Sequence, residues 1–316
     1  MKFQKFPSLT NSYADKFLAK VISELKSIKT QWVVTEKIHG ANYSFWFNNE
    51  DGFRCAKRTC FLDEESNFFN HKDILANYKE LFSDTAKDLY PNKTVALYGE
   101  ICGGSNLEYA RPVQSEVYYF DHTEFLAFNL YVDGELQNYH DMVKFTDKAN
   151  IPRPPCLGIF DKLEDALAVD FKFDSLVSGK KDNVCEGTVV STVEPILLSS
   201  GERPAFKQKN DAFKEKAGEK KPKKGVSIPA DYIKVFGRLT TMITNNRFNN
   251  MISKLEKDEV VFKNFNKLLI MFSEDVIEEY ERENLTKIPG EVFKGIKRPF
   301  FAECAKAVKF GLLEAA

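Results

Sequence analysis

The chain has 316 residues, 43% of them apolar, with 28 Phe and 12 Tyr; that is ample for one large or two ordinary packed domains and argues against a disordered polymer. With 45 basic and 46 acidic residues the formal net charge is −1, so bulk electrostatics give no sign of a polyanion partner, and a nucleic-acid surface would need local segregation of charge. The six cysteines (55, 60, 102, 156, 185, 304) form no CxxC pair and no zinc-ligand spacing, which fits free thiols in a reducing compartment. No apolar run approaches the roughly 20 residues that span a bilayer, and the start MKFQKFPSLTNSY has no signal-peptide core. The expectation is a soluble, cytoplasmic protein (host cytoplasm if viral).

Residues 11–28 have the spacing of an amphipathic helix, with Phe17, Leu18, Val21, Ile22 and Leu25 on one face. From 31 to 59 the pattern becomes strands, QWVVTEKI, NYSFWF and FRCAKRT, separated by Gly, Asn and Asp turn residues. Helical spacing returns over 66–90. Strand-like runs follow at 94–101, 117–120 and 124–132, and Asp133-Gly134 is a hairpin turn into 135–139. Two short helices are predicted at 140–150 and 162–169, then strands at 184–191 and 204–209. Between 202 and 224 lie eight Lys and one Arg against four acids, and the stretch KEKAGEKKPKKG reads as an exposed basic linker at about 210–226. After 227 the texture is helical throughout. The reading is an α+β domain over 1–222 followed by a small all-helical domain over 223–316.

The run TEKIHGANY at 35–43 places Lys37 at the end of an apolar strand just before a glycine turn. A strand there fixes the stem of the lysine, and Gly40 lets the backbone turn close to a ligand. To act as a nucleophile the amine must be neutral. An ordinary surface lysine before a turn has the same local pattern, so the other segments decide. In order they are CAKRT (55–59), with adjacent cations ending a strand; LYGE (97–100), a strand ending in a carboxylate; FLAFNL (125–130), an apolar strand carrying aromatics; Glu186-Gly187 before a β-branched run; and AFKQK (205–209), where Lys207 and Lys209 share one face of a strand.

These six motifs in this order resemble the covalent nucleotidyltransferases, the superfamily of ligases and mRNA capping enzymes. His-Gly after the lysine, with Asn42 following, resembles the RNA ligase 2 family, which includes phage double-strand RNA ligases and kinetoplastid RNA-editing ligases. The resemblance spans roughly 2–209 and continues in 241–254, which look like the phage-type C-terminal helical domain. It implies an antiparallel-sheet nucleotidyltransferase domain (an ATP-grasp-like ligase domain). It also implies ATP and Mg²⁺ (or Mn²⁺) as cofactors, and RNA, as a nicked duplex, as the partner; no obligate protein partner is evident.

Carried over by resemblance, Lys37 is the lysine that becomes Lys–AMP, with Glu36 and Ile38 flanking it at the nucleotide. Asn42 matches a residue used in sealing after adenylylation, and Arg58 a cation at the nucleotide and the 3′-OH end. Glu100 resembles the acid that binds the AMP ribose, Phe128 the aromatic that stacks on adenine, and Glu186 a carboxylate supporting metal binding. Lys207 and Lys209 match the pair that handles the phosphates. His39, beside the nucleophile, is placed at the RNA with Asn42 and Arg58, and Arg238 and Arg247 of the helical tail are expected to grip the RNA backbone.

Two positions depart from the family: Asn129 stands where an acid often follows the stacking aromatic, and Ala41 where a hydroxyl residue is common. No GxxxxGK[ST], HExxH or GxSxG motif is present. A DNA ligase or a capping guanylyltransferase would usually carry Asp-Gly after the lysine and an OB-fold. A non-catalytic RNA-binding relative would have lost the charged motif residues, which are all retained here.

Overall fold

The computed structural model describes residues 1–63, 65–104, 112–114, 116–214, 228–255 and 258–315. They divide into two compact units, Met1–Ser12 with Val21–Asn210 and Tyr13–Lys20 with Asp211–Ala316. Most of the basic linker at 210–226 lies outside the described residues.

The first unit is built on two five-stranded sheets. One has β1 (Thr10–Asn11), β10 (Ala205–Lys209), β9 (Gly187–Thr192), β2 (Trp32–Glu36) and β8 (Cys156–Phe160), in that spatial order. The other has β4 (Gly52–Lys57), β3 (Ala41–Asn48), β5 (Val95–Gly103), β6 (Thr123–Val132) and β7 (Glu135–Leu136). All pairings are antiparallel except β1, which lies parallel to β10.

Alternation explains the second sheet. Odd positions of β3 (Tyr43, Phe45, Phe47) enter a core with Leu97, Phe125 and Leu130, while Trp46 joins Tyr98 and Tyr131 on the opposite face. The core is closed by α2 (His71–Leu89), whose Ile74, Tyr78, Phe82 and Ala86 recur every four residues on one stripe, and by α3 (Tyr139–Lys148) through Phe145. Truncating fully buried Phe82 to Ala is expected to cost about 3–5 kcal/mol. Asn138 caps α3 by accepting from the Asp141 N–H at 2.8 Å.

The second unit is helical among its described residues: α5 (Ile233–Thr241), α6 (Asn245–Ile252), α7 (Phe265–Asn284) and α8 (Gly290–Ala315). Leu268, Phe272, Val276 and Tyr280 of α7, and Ile296, Phe300, Cys304, Val308 and Leu312 of α8, form four-residue stripes in one apolar core. No helix among the described residues is long and apolar enough to cross a membrane, and all six cysteines are free thiols.

Three expectations shift. The helix predicted from residue 11 begins at Asp15 as α1 (Asp15–Leu25), because Thr10 and Asn11 pair with Phe206 and Lys207. Residues 117–120 are not a strand, since the backbone of Tyr118 is satisfied by the Asn183 side chain instead of a ladder. Strand β8 went unforeseen; it is an edge strand that holds Gly158 and follows the proline-rich IPRPP, both of which mask a strand signal.

Candidate functional site: a buried carboxylate among cations

Lys37 follows β2, and its N–H donates to the Gly187 carbonyl at 2.9 Å, extending the β2–β9 ladder by one residue. Its Nζ reaches Glu186 Oε2 at 2.7 Å, and Lys209 Nζ, from β10, reaches Oε1 of the same carboxylate at 2.9 Å. His39 Nδ1 lies 3.3 Å from Glu186 Oε2, and His39 Nε2 lies 3.2 Å from Glu116 Oε2. Glu186 is buried, so it has exchanged water for these partners. Burial pushes its carboxyl up, but Lys209, Lys37 and His39 together outweigh that and hold it well below the usual carboxylate range. For His39 burial favours the neutral ring, yet Glu116 and Glu186 raise it above the ordinary imidazole value.

The lysine's neighbours are anchored as well. The Glu36 carboxylate accepts from the Ser175 hydroxyl at 2.6 Å and from the Leu176 N–H at 2.9 Å, while burial lifts it above the ordinary range. Ile38 is buried. Gly40 is where the chain leaves one sheet for the other. A Cβ there would collide with the Ile101 carbonyl and press on Glu100 Cγ, so only glycine fits this approach. Gly187 has the same constraint against the Gln208 carbonyl.

Asn42 and Glu100 are direct partners across β3 and β5, so their side chains share one face of the second sheet, the face of Trp46 and Tyr98. Phe128 packs on that face too. It is the extra residue of a bulge, because Tyr98 pairs with Asn129 and Gly99 with Ala127. One side of its ring meets Phe6, with centroids 5.0 Å apart. Arg58 donates to the Ser8 hydroxyl at 2.6 Å. Lys207 and Lys209 point to one face of β10, whereas Gln208 turns to the other and bonds Thr188 at 2.9 Å.

Lys37, His39, Glu186 and Lys209 are thus in direct contact, and Asn42, Glu100 and Phe128 share a sheet face. Arg238 and Arg247 belong to the helical unit. Arg238 is exposed and bonds the Asn284 side chain at 2.9 Å. The expectation for Arg247 needs correction: its side chain is buried and paired with Asp275 at 2.9 Å and Glu279 at 3.7 Å, which makes it a packing cation rather than a surface one. Glu116, Tyr119, Ser175 and Asn183 were not foreseen. They sit outside the strands: Glu116 and Tyr119 are 77 and 80 residues from His39, Ser175 is 139 from Glu36, and Asn183 meets Tyr118 across 65, so no local spacing marks them.

No group of three or more His, Cys, Asp or Glu among the described residues could cage a metal ion, and both oxygens of Glu186 are held by cations. The Glu186 carboxylate is the kind of donor that a divalent ion carried on phosphate oxygens can meet.

Two antiparallel sheets meeting at a lysine-bearing turn, followed by helices, make the nucleotidyltransferase fold of RNA ligases. The RNA ligase family model matches residues 30–209, and the model described as T4 RNA ligase 2 C-terminal matches 227–306. Similar solved structures include the Naegleria gruberi RNA ligase as an apo Asp-to-Ala variant (17% identity, TM-score 0.48, covering 67% of this chain and 56% of that one). A Lys-to-Ala variant with ATP and Mn and a Lys-to-Met variant with AMP and Mn have the same identity and TM-score, with 57% of each covered. The chain spans little more than half the length of these structures. It belongs to the RNA ligase 2 family.

Proposed function

We propose that this chain is an ATP-dependent RNA ligase that joins a 3′-OH to a 5′-phosphate through a lysyl-AMP intermediate, acting in the cytoplasm on nicks in duplex RNA. The observation that carries the reading is the contact of Lys37 Nζ with buried Glu186, whose other oxygen takes Lys209. Two lysines and the His39 ring gathered around one carboxylate are groups that can meet the phosphates of a triphosphate.

In the first step Lys37 Nζ gives its proton to solvent and, as the neutral amine, attacks the α-phosphorus of ATP. The N–P bond forms as the P–O bond to pyrophosphate breaks. Lys207 and Lys209 stabilise charge on the phosphoryl oxygens and the leaving group. Glu186, released from Lys37, can accept a hydrogen bond or join Mg²⁺ or Mn²⁺ brought by the nucleotide; the ion adds charge neutralisation. The half-buried Phe128 ring stacks on adenine, Glu100 meets the ribose, and Glu36 and Ile38 shape the corner beneath the base. Next, an oxygen of the RNA 5′-phosphate attacks the adenylate phosphorus and the N–P bond to Lys37 breaks, with His39 and Asn42 at the phosphates. Finally the 3′-OH, oriented by Arg58, attacks the 5′-phosphorus and AMP leaves. Exposed Arg238 contributes to the grip on the RNA backbone, read by A-form shape. The Naegleria ligase structures with ATP and Mn and with AMP and Mn are in keeping with this cofactor set.

The test is covalent labelling with ATP carrying radioactivity at the α-phosphate, in the presence of Mg²⁺. The protein should become labelled, and Lys37→Ala should reduce the label to background. Label retained in that variant would overturn the assignment. Sealing assays on nicked RNA duplex, single-stranded RNA and nicked DNA decide the substrate.

A further inference from the structure

The corner that carries Lys37 is gripped by two segments that belong to neither sheet. On one side, Ser175 and Leu176 hold the Glu36 carboxylate at 2.6 and 2.9 Å. On the other, the His39 N–H donates to the buried Tyr119 hydroxyl at 2.8 Å, and the His39 ring meets Glu116 at 3.2 Å. A backbone outside a ladder must find other partners for its polar groups. Here one residue, through its side chain and its backbone, supplies them for both segments. Asn183 Oδ1 accepts from the Tyr118 N–H at 2.8 Å, and Asn183 Nδ2 donates to the Tyr118 carbonyl at 2.7 Å. The Asn183 carbonyl in turn accepts from the Ser175 N–H at 2.8 Å. Lys180, from the same loop, sits 3.1 Å over the Tyr118 ring.

The hydrogen bonds therefore run in a closed circuit from Glu36 through Ser175, Asn183 and Tyr118–Tyr119 to His39, with Lys37 inside it. We infer that Asn183 and Glu116 are positioning residues for the adenylylation of Lys37: Asn183 joins the two segments into one brace, and Glu116 fixes the His39 ring against Glu186. Neither touches the amine. Their effect is to hold residues 36 and 39 still, so that the amine of Lys37 keeps its line to the α-phosphorus. An in-line displacement is sensitive to such placement, because an error of about 1 Å can cost on the order of a hundredfold in rate.

The inference rests on Lys37 being the adenylylated residue, so the experiment begins by showing that the wild-type chain takes label and Lys37→Ala does not; failure there would sink the functional reading itself. Single-turnover labelling is then measured over a range of ATP concentrations for Asn183→Ala, Asn183→Asp, Glu116→Ala and Glu116→Gln. Asn183→Ala should lower the maximal labelling rate by roughly ten- to a hundredfold, while the ATP concentration for half-maximal rate changes less than about threefold. Asn183→Asp keeps the acceptor for Tyr118 but loses the donor, and should fall between wild type and Ala. Glu116 is half exposed, so its variants test the brace without a threat to the fold; Gln should restore most of the rate that Ala loses. Unchanged maximal rates in both alanine variants, or losses that follow only ATP affinity or the unfolded fraction, would overturn the inference.

Discussion

In the sheet unit a buried carboxylate, Glu186, meets Lys37, Lys209 and His39; in the helical unit a buried cation, Arg247, meets Asp275 and Glu279. The second cluster closes on itself, since Glu279 also takes Arg282 at 2.7 Å from the next helical turn, giving two cations for two acids. In the first, two lysines and the His39 ring meet Glu186, and a further acid, Glu116, lies half exposed against His39. Buried charge that sums to zero locks helices together. The first cluster instead gathers side chains from separate strand ends around one carboxylate beside a lysine, an arrangement more common at sites than in struts.

The widest separation should come from Glu186→Ala, which leaves two lysines facing each other without their counter-charge. A loss of about 3–5 kcal/mol in stability is expected, with Lys37 labelling per folded molecule down by about a hundredfold or more. Urea titration and labelling on the same preparation check both. If the helical cluster is only a strut, Arg247→Ala should cost a similar ~3–5 kcal/mol yet leave labelling per folded molecule unchanged. Trp32 and Trp46 are the two tryptophans and both lie in the sheet unit, so their fluorescence should keep its unfolding transition while helical circular dichroism loses part of its own.

Acid should distinguish the units as well, because all four histidines (39, 71, 122, 140) fall in the sheet unit. His71 accepts from or donates to the Tyr43 hydroxyl at Nδ1 (2.9 Å) and faces the Ser66 carbonyl through Nε2 at 2.9 Å, and burial lowers its pKa below the ordinary 6.5. The unfolded chain therefore takes up this proton first as pH falls. The stabilisation by neutral His71 is complete above about pH 6.5 and is lost as pH drops from there through the folded value. His39, whose pKa is raised, acts in the opposite sense, so the test is the difference: below about pH 6.5 the urea midpoint read by tryptophan should fall further, or rise less, in the wild type than in His71→Gln. The smallest effect is expected for exposed Arg238→Ala: stability within about 0.5 kcal/mol, labelling intact, and sealing weakened by several-fold with a salt dependence shallower by about 1. An unaltered salt slope would remove Arg238 from the RNA surface.

Much of this was legible in the chain itself. The apolar strand ending in TEKIHG, the paired lysines of AFKQK and the Glu-Gly before β9 are local patterns, and their roles as strand ends and same-face residues follow from period-two alternation. The four-residue stripes of α2, α7 and α8 are local too. The sequence could not reveal that Arg247 turns inward, because a helical arginine preceded by two asparagines looks the same whether its charge meets solvent or Asp275. Nor could it mark Phe128 as the bulged residue, since a bulge is a property of the pairing between β5 and β6.

By itself the sequence determined most of the elements and the local motifs in and beside the strands, because periodicity and side-chain chemistry act over a few residues. Tertiary structure alone decided which charges meet, and that Asn183, Tyr119 and Glu116 close around the Lys37 corner. Those contacts join segments up to about 150 residues apart, and their strength depends on burial that only the packed sheets create.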